Sequence, residues 1–208
     1  MSRWRALPKS FYRRPAEEVA PELLGRYLVR DVGGERLVAR LVEVEAYLGA
    51  PDRASHAWGG RRTARNEALY LSGGHAYVYF IYGMHFCLNA VTGAAGEGGA
   101  VLLRAAEAVE GEAAIARRRG VELPARPGLL LSGPGRLCQG LAVDRRLDRV
   151  ALQRGELRLV EGEPVGEAEI VRGARVGVGY AGAASSWPLR FAVRGSREVS
   201  RPWPWRRG

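Results

Sequence analysis

Short runs of apolar residues, broken by glycines and charged residues, recur along the chain and predict strands rather than long helices. Two runs, RYLVRDV over 26–32 and ERLVARLVEVEAYL over 35–48, are separated only by Gly33 and Gly34. Two strand-like runs joined by a pair of glycines predict a β-hairpin.

A second hairpin is predicted in AYVYFIYGMHFCLNAV, residues 76–91, because Tyr82 and Gly83 interrupt an otherwise continuous apolar run. Tyr82 is expected beside the bend. A further strand is predicted in GGAVLLRAAE. The later segments ELRLVEG, AEIVRGARVGVGYAG and PLRFAVRGS are predicted to consist of strands and glycine-rich loops.

Helical patterns are fewer and shorter. RRPAEEVAPELLG over 13–25 predicts a helix closed by its last glycine, with Pro21 as a point where it can break. EGEAAIARRRG predicts a short basic helix, and SGPGRLCQGL predicts a helix capped by Ser132.

No internal repeat and no long linker divides the chain of 208 residues. We therefore predict one α+β domain over 1–208, with more strand than helix and a mainly antiparallel sheet. The ends, 1–10 and 197–208, are expected to be mobile or to pack through their tryptophans.

Charge narrows the choice of partners. The net charge is +10, and Lys9 is the only lysine among 32 basic residues, so 31 are arginine. Arginine forks pair with phosphates, and an excess of this size favours a polyanion such as a nucleic acid. The alternative is that the arginines reflect genome composition and only solvate the surface.

Other features point to the inside of a cell. No apolar run is long enough to cross a bilayer, and the first residues do not form a secretory signal. Cys87 and Cys138 are too few for a disulfide framework and are expected to be buried apolar residues. The spacing of cysteines and histidines does not match a zinc site, so no metal is expected.

The run LVEVEAYLG offers acid–base chemistry. Strand alternation puts Leu41, Glu43, Glu45 and Tyr47 on one face and apolar side chains on the other. Two carboxylates can work as acid and base at a glycosidic bond. Equally, both could lie on a solvated face and pair with arginines.

Aromatic residues gather around the same segments. Tyr47, Tyr77, Tyr79, Tyr82 and Phe86 lie within or beside the strands that carry Glu45 and Asn89. Aromatic faces with a few amide or imidazole groups suit a purine base. An ordinary aromatic core is the alternative, although buried tyrosine hydroxyls need partners.

The motifs together resemble one family. LVEVEAYLG, DRASHAWGGRRTARN, YVYFIYGMHFCLN, GGAVLLRAAEAVEG, SGPGRLCQGLAV and RVGVGYAG with PLRFAVRGS occur in the order typical of the alkyladenine (3-methyladenine) DNA glycosylases. The resemblance runs from about Phe11 to about Ser196. It implies a single α+β domain with a curved, mainly antiparallel sheet, surrounding helices and a protruding hairpin that inserts into DNA.

The resemblance also implies site residues. Tyr82 corresponds to the tyrosine that fills the space of a flipped-out nucleotide, and Glu45 to the general base. Arg104 corresponds to an arginine that helps to hold the catalytic water and the neighbouring phosphate. The base pocket corresponds to Tyr47, His56, Tyr79 and Asn89, with Asn89 crowding the amino group of normal guanine. Candidates for contacts with DNA phosphates are Arg61, Thr63, Arg65 and Met84. His85 stands where the family pattern leads us to expect tyrosine, and Glu43 matches no catalytic role.

The implied function is a monofunctional base-excision repair enzyme that needs no cofactor and acts as an intracellular monomer on double-stranded DNA. It would hydrolyse the N-glycosidic bond of 3-methyladenine, 7-methylguanine, hypoxanthine or ethenoadenine by base flipping and leave an abasic site. Two alternatives remain open from the residues: a non-catalytic protein that binds damaged nucleic acid, and a hydrolase of RNA or free nucleosides.

Overall fold

A single antiparallel sheet organises the protein, which we describe over residues 4–203 of a computed structural model. Within this range the sheet has eight strands, in the order β3-β4-β5-β2-β1-β6, with β8 paired to β2 and β7 paired to β8. The strands are β1 (Tyr27–Val32), β2 (Glu35–Tyr47), β3 (Ala76–Ile81), β4 (His85–Thr92), β5 (Gly99–Glu110), β6 (Leu157–Val160), β7 (Ile170–Gly173) and β8 (Arg190–Val193).

Both predicted hairpins are confirmed. Gly33 and Gly34 form the whole turn between β1 and β2 with φ of 59° and 76°, a conformation that glycine adopts without strain. The second hairpin joins β3 to β4 through Tyr82, Gly83 and Met84.

β2 is the strand on which the site depends. Its first half pairs with β1, its second half pairs with β8, and β5 pairs along the other edge. The ladder to β5 shifts register between Leu41 and Glu43 and again before Val44. The predicted sharing of a face by Leu41 and the carboxylates is wrong in part, because these irregularities break the simple alternation and Leu41 packs in the main core cluster.

The helices are short and pack against the sheet. Four α-helices lie within the described range: α1 (Lys9–Tyr12), α2 (Ala16–Leu23), α3 (Glu112–Arg119) and α4 (Pro134–Gly140). Short 3₁₀ helices occupy Trp58–Gly60, Glu67–Tyr70, Arg145–Leu147, Glu167–Glu169 and Gly179–Ser186.

Two helix predictions need correction. The segment 13–25 forms a helix only from Ala16, after Pro15, and it accommodates Pro21 in its last turn. The predicted cap by Ser132 is wrong: the N-cap of α4 is Gly133, no side chain caps it, and Pro134 begins the helix. Proline at this position fixes a helical φ and lacks only an N–H that the first turn leaves unpaired.

The α+β class with an antiparallel sheet is thus confirmed. The core lies between the sheet and the helices, and both cysteines are buried and free, as predicted. No helix within residues 4–203 is long and apolar enough to span a membrane. At the ends, Leu7, Val199 and Ser200 are buried, while the prediction for the outermost residues falls partly outside the described range.

Candidate active site

A cavity of about 290 Å³ opens beside the tip of the β3–β4 hairpin. Its walls come from β2, β3, β4 and β5, from the loop around His56, and from the segment 176–180. The aromatic side chains in the lining are Tyr47, His56, Tyr77, Tyr79, Tyr82, His85 and Tyr180. A concave pocket with aromatic faces and a few polar groups is the usual form of a site for a small planar ligand.

Glu45 lies directly behind this wall and is fully buried. Its carboxylate accepts hydrogen bonds from the Tyr47 hydroxyl at 2.8 Å and from the Val176 N–H at 2.8 Å, and Arg104 Nη1 lies 3.3 Å away. All three neighbours present hydrogens, which is what an ionised carboxylate accepts. Tyr47, Arg104 and Val176 all line the cavity, so they connect the carboxylate to it.

Glu43 is also fully buried, but its surroundings are different. One oxygen accepts from Arg104 Nε at 2.6 Å, Arg190 Nε at 2.9 Å and Ser200 Oγ at 2.9 Å. The other accepts from the Ser200 N–H at 2.6 Å. The alternative of a solvated carboxylate face is therefore wrong for both glutamates, whereas the pairing with arginine is correct.

Arg104 joins the two carboxylates from β5. Burial disfavours its charge, but the carboxylates of Glu45 and then Glu43 raise its pKa above the usual value for arginine. The guanidinium also donates to Ser200 Oγ at 3.1 Å. Arg104 is thus a fixed positive charge at the cavity wall.

His56, Tyr77 and Tyr79 form an aromatic cluster on another wall. The ring of His56 lies edge-on to Tyr79 with centroids 4.7 Å apart, and its Nδ1 lies 2.8 Å from the Tyr77 hydroxyl. Burial raises the pKa of both tyrosines, so each keeps its O–H. Burial, and then the charges of Arg65 and Arg61, lower the pKa of His56, which favours the neutral ring as acceptor of the Tyr77 hydrogen.

Tyr47 is supported from a segment that is distant in sequence. The guanidinium of Arg175 lies 4.7 Å from the Tyr47 ring centroid and forms a buried two-point pair with Asp52. Arg175 also donates to the Ala46 carbonyl at 2.9 Å. This arginine immediately precedes Val176, whose N–H bonds Glu45, so the Asp52–Arg175 pair fixes both the tyrosine and the carboxylate.

Asn89 and Cys87 project from β4 into the cavity lining and are both buried. The Asn89 amide donates to the Tyr77 carbonyl at 3.1 Å, which fixes the orientation of the side chain. Burial raises the pKa of the Cys87 thiol, so it remains protonated.

The hairpin tip is exposed, as the sequence predicts. Tyr82 is 78% exposed and Met84 is 68% exposed, although both are large apolar side chains. Tyr82 has φ of 55°, an uncommon value for a residue with a side chain. His85 begins β4, is exposed, and lies so close to Gly135 that a Cβ there would be 2.9 Å from its ring.

The remaining phosphate candidates form a separate group. Arg61, Thr63 and Arg65 are exposed and line an adjoining cavity of about 320 Å³, which shares Ser55, His56, Tyr77 and Tyr180 with the first. Met84 lies apart from them, at the hairpin tip.

Sequence reasoning missed several lining residues. Val176, Val178 and Tyr180 line the cavity, and Asp52 and Arg175 support it, yet none was predicted as part of the site. The clustered glycines of RVGVGYAG indicated a loop, but only the three-dimensional structure shows that this loop meets β2.

Comparison with known proteins agrees with this arrangement. A family model described as methylpurine-DNA glycosylase matches residues 10–197. The chain belongs to this family. It is therefore a DNA repair glycosylase, a hydrolase of N-glycosyl bonds.

Individual relatives within the methylpurine-DNA glycosylase family cover nearly all of the chain. A Myxococcus xanthus protein is 50% identical over 97% of both chains, and one from Carboxydothermus hydrogenoformans is 45% identical over 94% of this chain and 98% of its own. Both carry the name "Putative 3-methyladenine DNA glycosylase". The human DNA-3-methyladenine glycosylase is 43% identical over 91% of this chain and 66% of its own.

Proposed function

We propose that this glycosylase removes alkylated and deaminated purines from double-stranded DNA: 3-methyladenine, 7-methylguanine, hypoxanthine and ethenoadenine. The observation that carries the proposal is the buried carboxylate of Glu45, held by Tyr47, Arg104 and Val176 at the wall of an aromatic cavity. The cavity adjoins an exposed tyrosine at a hairpin tip, which suits an enzyme that takes a base out of the duplex.

In the proposed mechanism, Tyr82 enters the stack where the target nucleotide leaves it. The base enters the cavity between the aromatic walls of Tyr47, His56 and Tyr79. Rings attract a cationic alkylated purine by about 0.5–2 kcal/mol each, in addition to stacking.

Cleavage of the bond between base and deoxyribose develops positive charge on the sugar. Glu45 would stabilise this charge and accept a proton from the attacking water. Because Glu45 does not itself line the cavity, the water would bind beside Tyr47 and Arg104, the two side chains that connect the carboxylate to the lining. A cationic alkylated purine leaves as the neutral base, whereas a neutral lesion such as hypoxanthine must take up a proton as it leaves. The products are a free base and an abasic site.

Asn89 is proposed to select against guanine. Its buried amide is fixed by the Tyr77 carbonyl and faces the cavity from β4. An immovable amide at this position crowds a 2-amino group, which guanine has and hypoxanthine lacks. Selection of this kind works by repelling the wrong base.

The enzyme is proposed to be monofunctional and to act as a monomer inside the cell, where its substrate is. Strand-cleaving glycosylases use an amine to form a Schiff base with the sugar. Lys9, the only lysine in the sequence, lies in α1 and does not line the cavity. Borohydride should therefore trap no covalent complex with DNA during turnover.

The test is base release from one purified sample on duplexes that each carry one lesion. Chromatography should detect free 3-methyladenine and hypoxanthine together with intact strands that contain abasic sites. Parallel assays on lesion-bearing RNA and on free nucleosides distinguish the proposed function from the alternative of a hydrolase that acts on RNA or nucleosides. Tight binding of the lesion duplex without any base release would support the non-catalytic alternative and overturn the proposal.

A further inference from the structure

A second cavity, polar and about 620 Å³ in volume, shares Arg104 and Pro134 with the base pocket. We call it the arginine groove and define it by Arg104, Ser132, Arg136, Arg197, Ser200 and Arg201. It lies between the start of α4 and the segment 197–203. Of the residues that the resemblance places near a phosphate, only Arg104 lines it; Arg136, Arg197 and Arg201 were not predicted.

The groove carries an uncompensated positive charge. Arg136, Arg197 and Arg201 are exposed, and within residues 4–203 none of them forms an ion pair with a carboxylate. Arg136 instead donates to the Gly128 carbonyl at 2.7 Å, and Arg201 lies over the Trp203 ring at 4.7 Å. These contacts orient the guanidinium groups of Arg136 and Arg201 without neutralising their charge.

The nearby carboxylates do not cancel this charge. Glu43 lies beneath the groove and is already shared by Arg104 and Arg190. Glu198 is half-buried and accepts from the Gly128 N–H at 2.8 Å. Burial raises the pKa of Glu198, and the charge of Arg136 acts in the opposite direction. This one carboxylate faces three groove arginines, Arg136, Arg197 and Arg201, so a net positive charge remains.

The position of the groove identifies a ligand. A nucleotide whose base occupies the pocket keeps its sugar and both flanking phosphates outside. Because the two cavities share a wall at Arg104 and Pro134, the strand that enters the pocket passes close to the groove. Guanidinium forks and hydroxyls are suitable donors for phosphodiester oxygens.

We propose that the arginine groove binds backbone phosphates of the lesion-bearing strand beside the flipped nucleotide. This proposal rests on the proposed function, because it assumes that the base occupies the aromatic pocket. The DNA backbone is then held at two separate places around the pocket. One is the arginine groove, and the other is the adjoining cavity lined by Arg61, Thr63 and Arg65.

The experiment compares Arg197→Gln/Arg201→Gln with a control pair, Arg145→Gln/Arg154→Gln. The control removes the same charge from two exposed arginines that line neither cavity and form no ion pair in the described part of the chain. Binding is measured from 50 to 300 mM salt with a duplex that carries one tetrahydrofuran abasic-site analogue, which the enzyme cannot hydrolyse.

The slope of log K against log salt should become shallower by about 1 for each phosphate that the variant no longer neutralises, and so by about 2 for the groove pair. The control pair should keep a slope near the wild-type value. Equal slopes for wild type and the groove pair, or an equal change of slope in both pairs, would overturn the proposal.

A second measurement locates the binding position on the DNA. Single neutral methylphosphonate linkages next to the analogue should weaken binding to the wild type and have little further effect on the groove pair. If each methylphosphonate weakens binding by the groove pair as much as it weakens binding by the wild type, at every flanking position, the proposal is contradicted. Hypoxanthine release by the wild type is assayed in parallel. If the wild type releases hypoxanthine but the groove pair keeps the wild-type salt slope, only the groove proposal is rejected. If the wild type releases no hypoxanthine, the proposed function is rejected.

Discussion

Two glutamates on β2 show how local donors separate the roles of identical side chains. Glu43 accepts four hydrogen bonds from Arg104, Arg190 and Ser200, and of these three residues only Arg104 lines the base pocket. Glu45 is bonded by groups that themselves line the cavity. The chemistry is therefore expected at Glu45 and the structural function at Glu43.

Glu45→Gln should slow base excision by about 10²–10⁴-fold, the usual effect of losing a positioned general base. The fold should tolerate the change, because the amide oxygen can still accept from Val176 and the Tyr47 hydroxyl can rotate to accept from the new N–H. The measurement is single-turnover excision at saturating enzyme. Binding of the lesion duplex should survive or improve, since a negative charge near the phosphates is gone.

Glu43→Gln is the matched comparison, and its effect should appear in stability instead. Removing this charge leaves Arg104 and Arg190 buried with less compensation, and breaking a buried pair typically costs about 3–5 kcal/mol. Urea unfolding measures this loss. If Glu43→Gln abolishes excision in folded protein while Glu45→Gln remains active, the two assignments must be exchanged.

Asn89 is predicted to act by exclusion, so its removal should increase an unwanted activity. Asn89→Ala or Asn89→Ser should raise the release of normal guanine relative to hypoxanthine by about 10-fold, in the range expected for one small group in a pocket. The assay follows both bases released from matched duplexes. An unchanged ratio would assign the discrimination to another residue.

His56 gives a pH dependence whose sign follows from its lowered pKa. The folded state prefers the neutral ring, so the contribution of His56 to stability is complete above pH 6.5 and is lost as the pH falls through the folded pKa. NMR titration should place this pKa below 6.5. Arg65→Gln should raise it, whereas Arg126→Gln, at an exposed arginine that has no described contact with His56, should leave it unchanged.

Among the elements, hairpins could be read from the sequence because their signals are local. A Gly-Gly pair between two strand patterns, or a Tyr-Gly pair inside one, contains the turn and both partners within about twenty residues. The prediction that Ser132 caps α4 was wrong for an equally local reason. The helix begins one residue later than expected, so the adjacent Gly133 is the N-cap residue.

The contacts that complete the site could not be read in this way. Val176 bonds Glu45 across 131 residues of sequence, and Ser200 bonds Glu43 across 157. The β2 irregularity near Glu43 also follows from how β5 and β8 flank that strand, which no alternation pattern encodes. Motif resemblance indicated Glu45 and the pocket residues, but neither the Asp52–Arg175 support nor the function of the segment 197–203.

The β3–β4 hairpin should act as a unit that inserts into DNA. Tyr82 is exposed at its tip and contributes little to the core, so Tyr82→Ala should leave the unfolding midpoint unchanged. Without the Tyr82 ring, the space that the flipped nucleotide leaves in the base stack stays empty. Flipping should then become less favourable by a few kcal/mol, on the order of the cost of unstacking. Met84→Ala at the same tip should have a smaller effect. Equal rates of excision of a well-paired lesion by wild type and Tyr82→Ala would exclude the proposed insertion of Tyr82 into the base stack.

Across the whole molecule, the site depends on both the middle and the C-terminal part of the chain. Strand β8 and the segment after it bring Arg190 and Ser200 onto β2, against the same glutamate that orients Arg104, while Val199 packs in the core. The C-terminal segment therefore supports Glu43 and, through it, Arg104 in the cavity wall.

A chain that ends at Ser196 should consequently be much less stable than one that ends at Trp203, which retains the whole segment 197–203. The shorter chain loses two of the four donors to Glu43, both backbone acceptors of Arg190, and the buried side chain of Val199. We expect a loss of more than about 3 kcal/mol, because buried hydrogen-bond partners of Glu43 and Arg190 and core packing are removed together. Ser200→Ala, which removes only the hydroxyl, should cost about 1–3 kcal/mol. Urea unfolding of the three proteins measures the order. If the chain ending at Ser196 has the same urea midpoint as the longer one, the segment 197–203 does not stabilise Glu43 and Arg104 at the cavity wall.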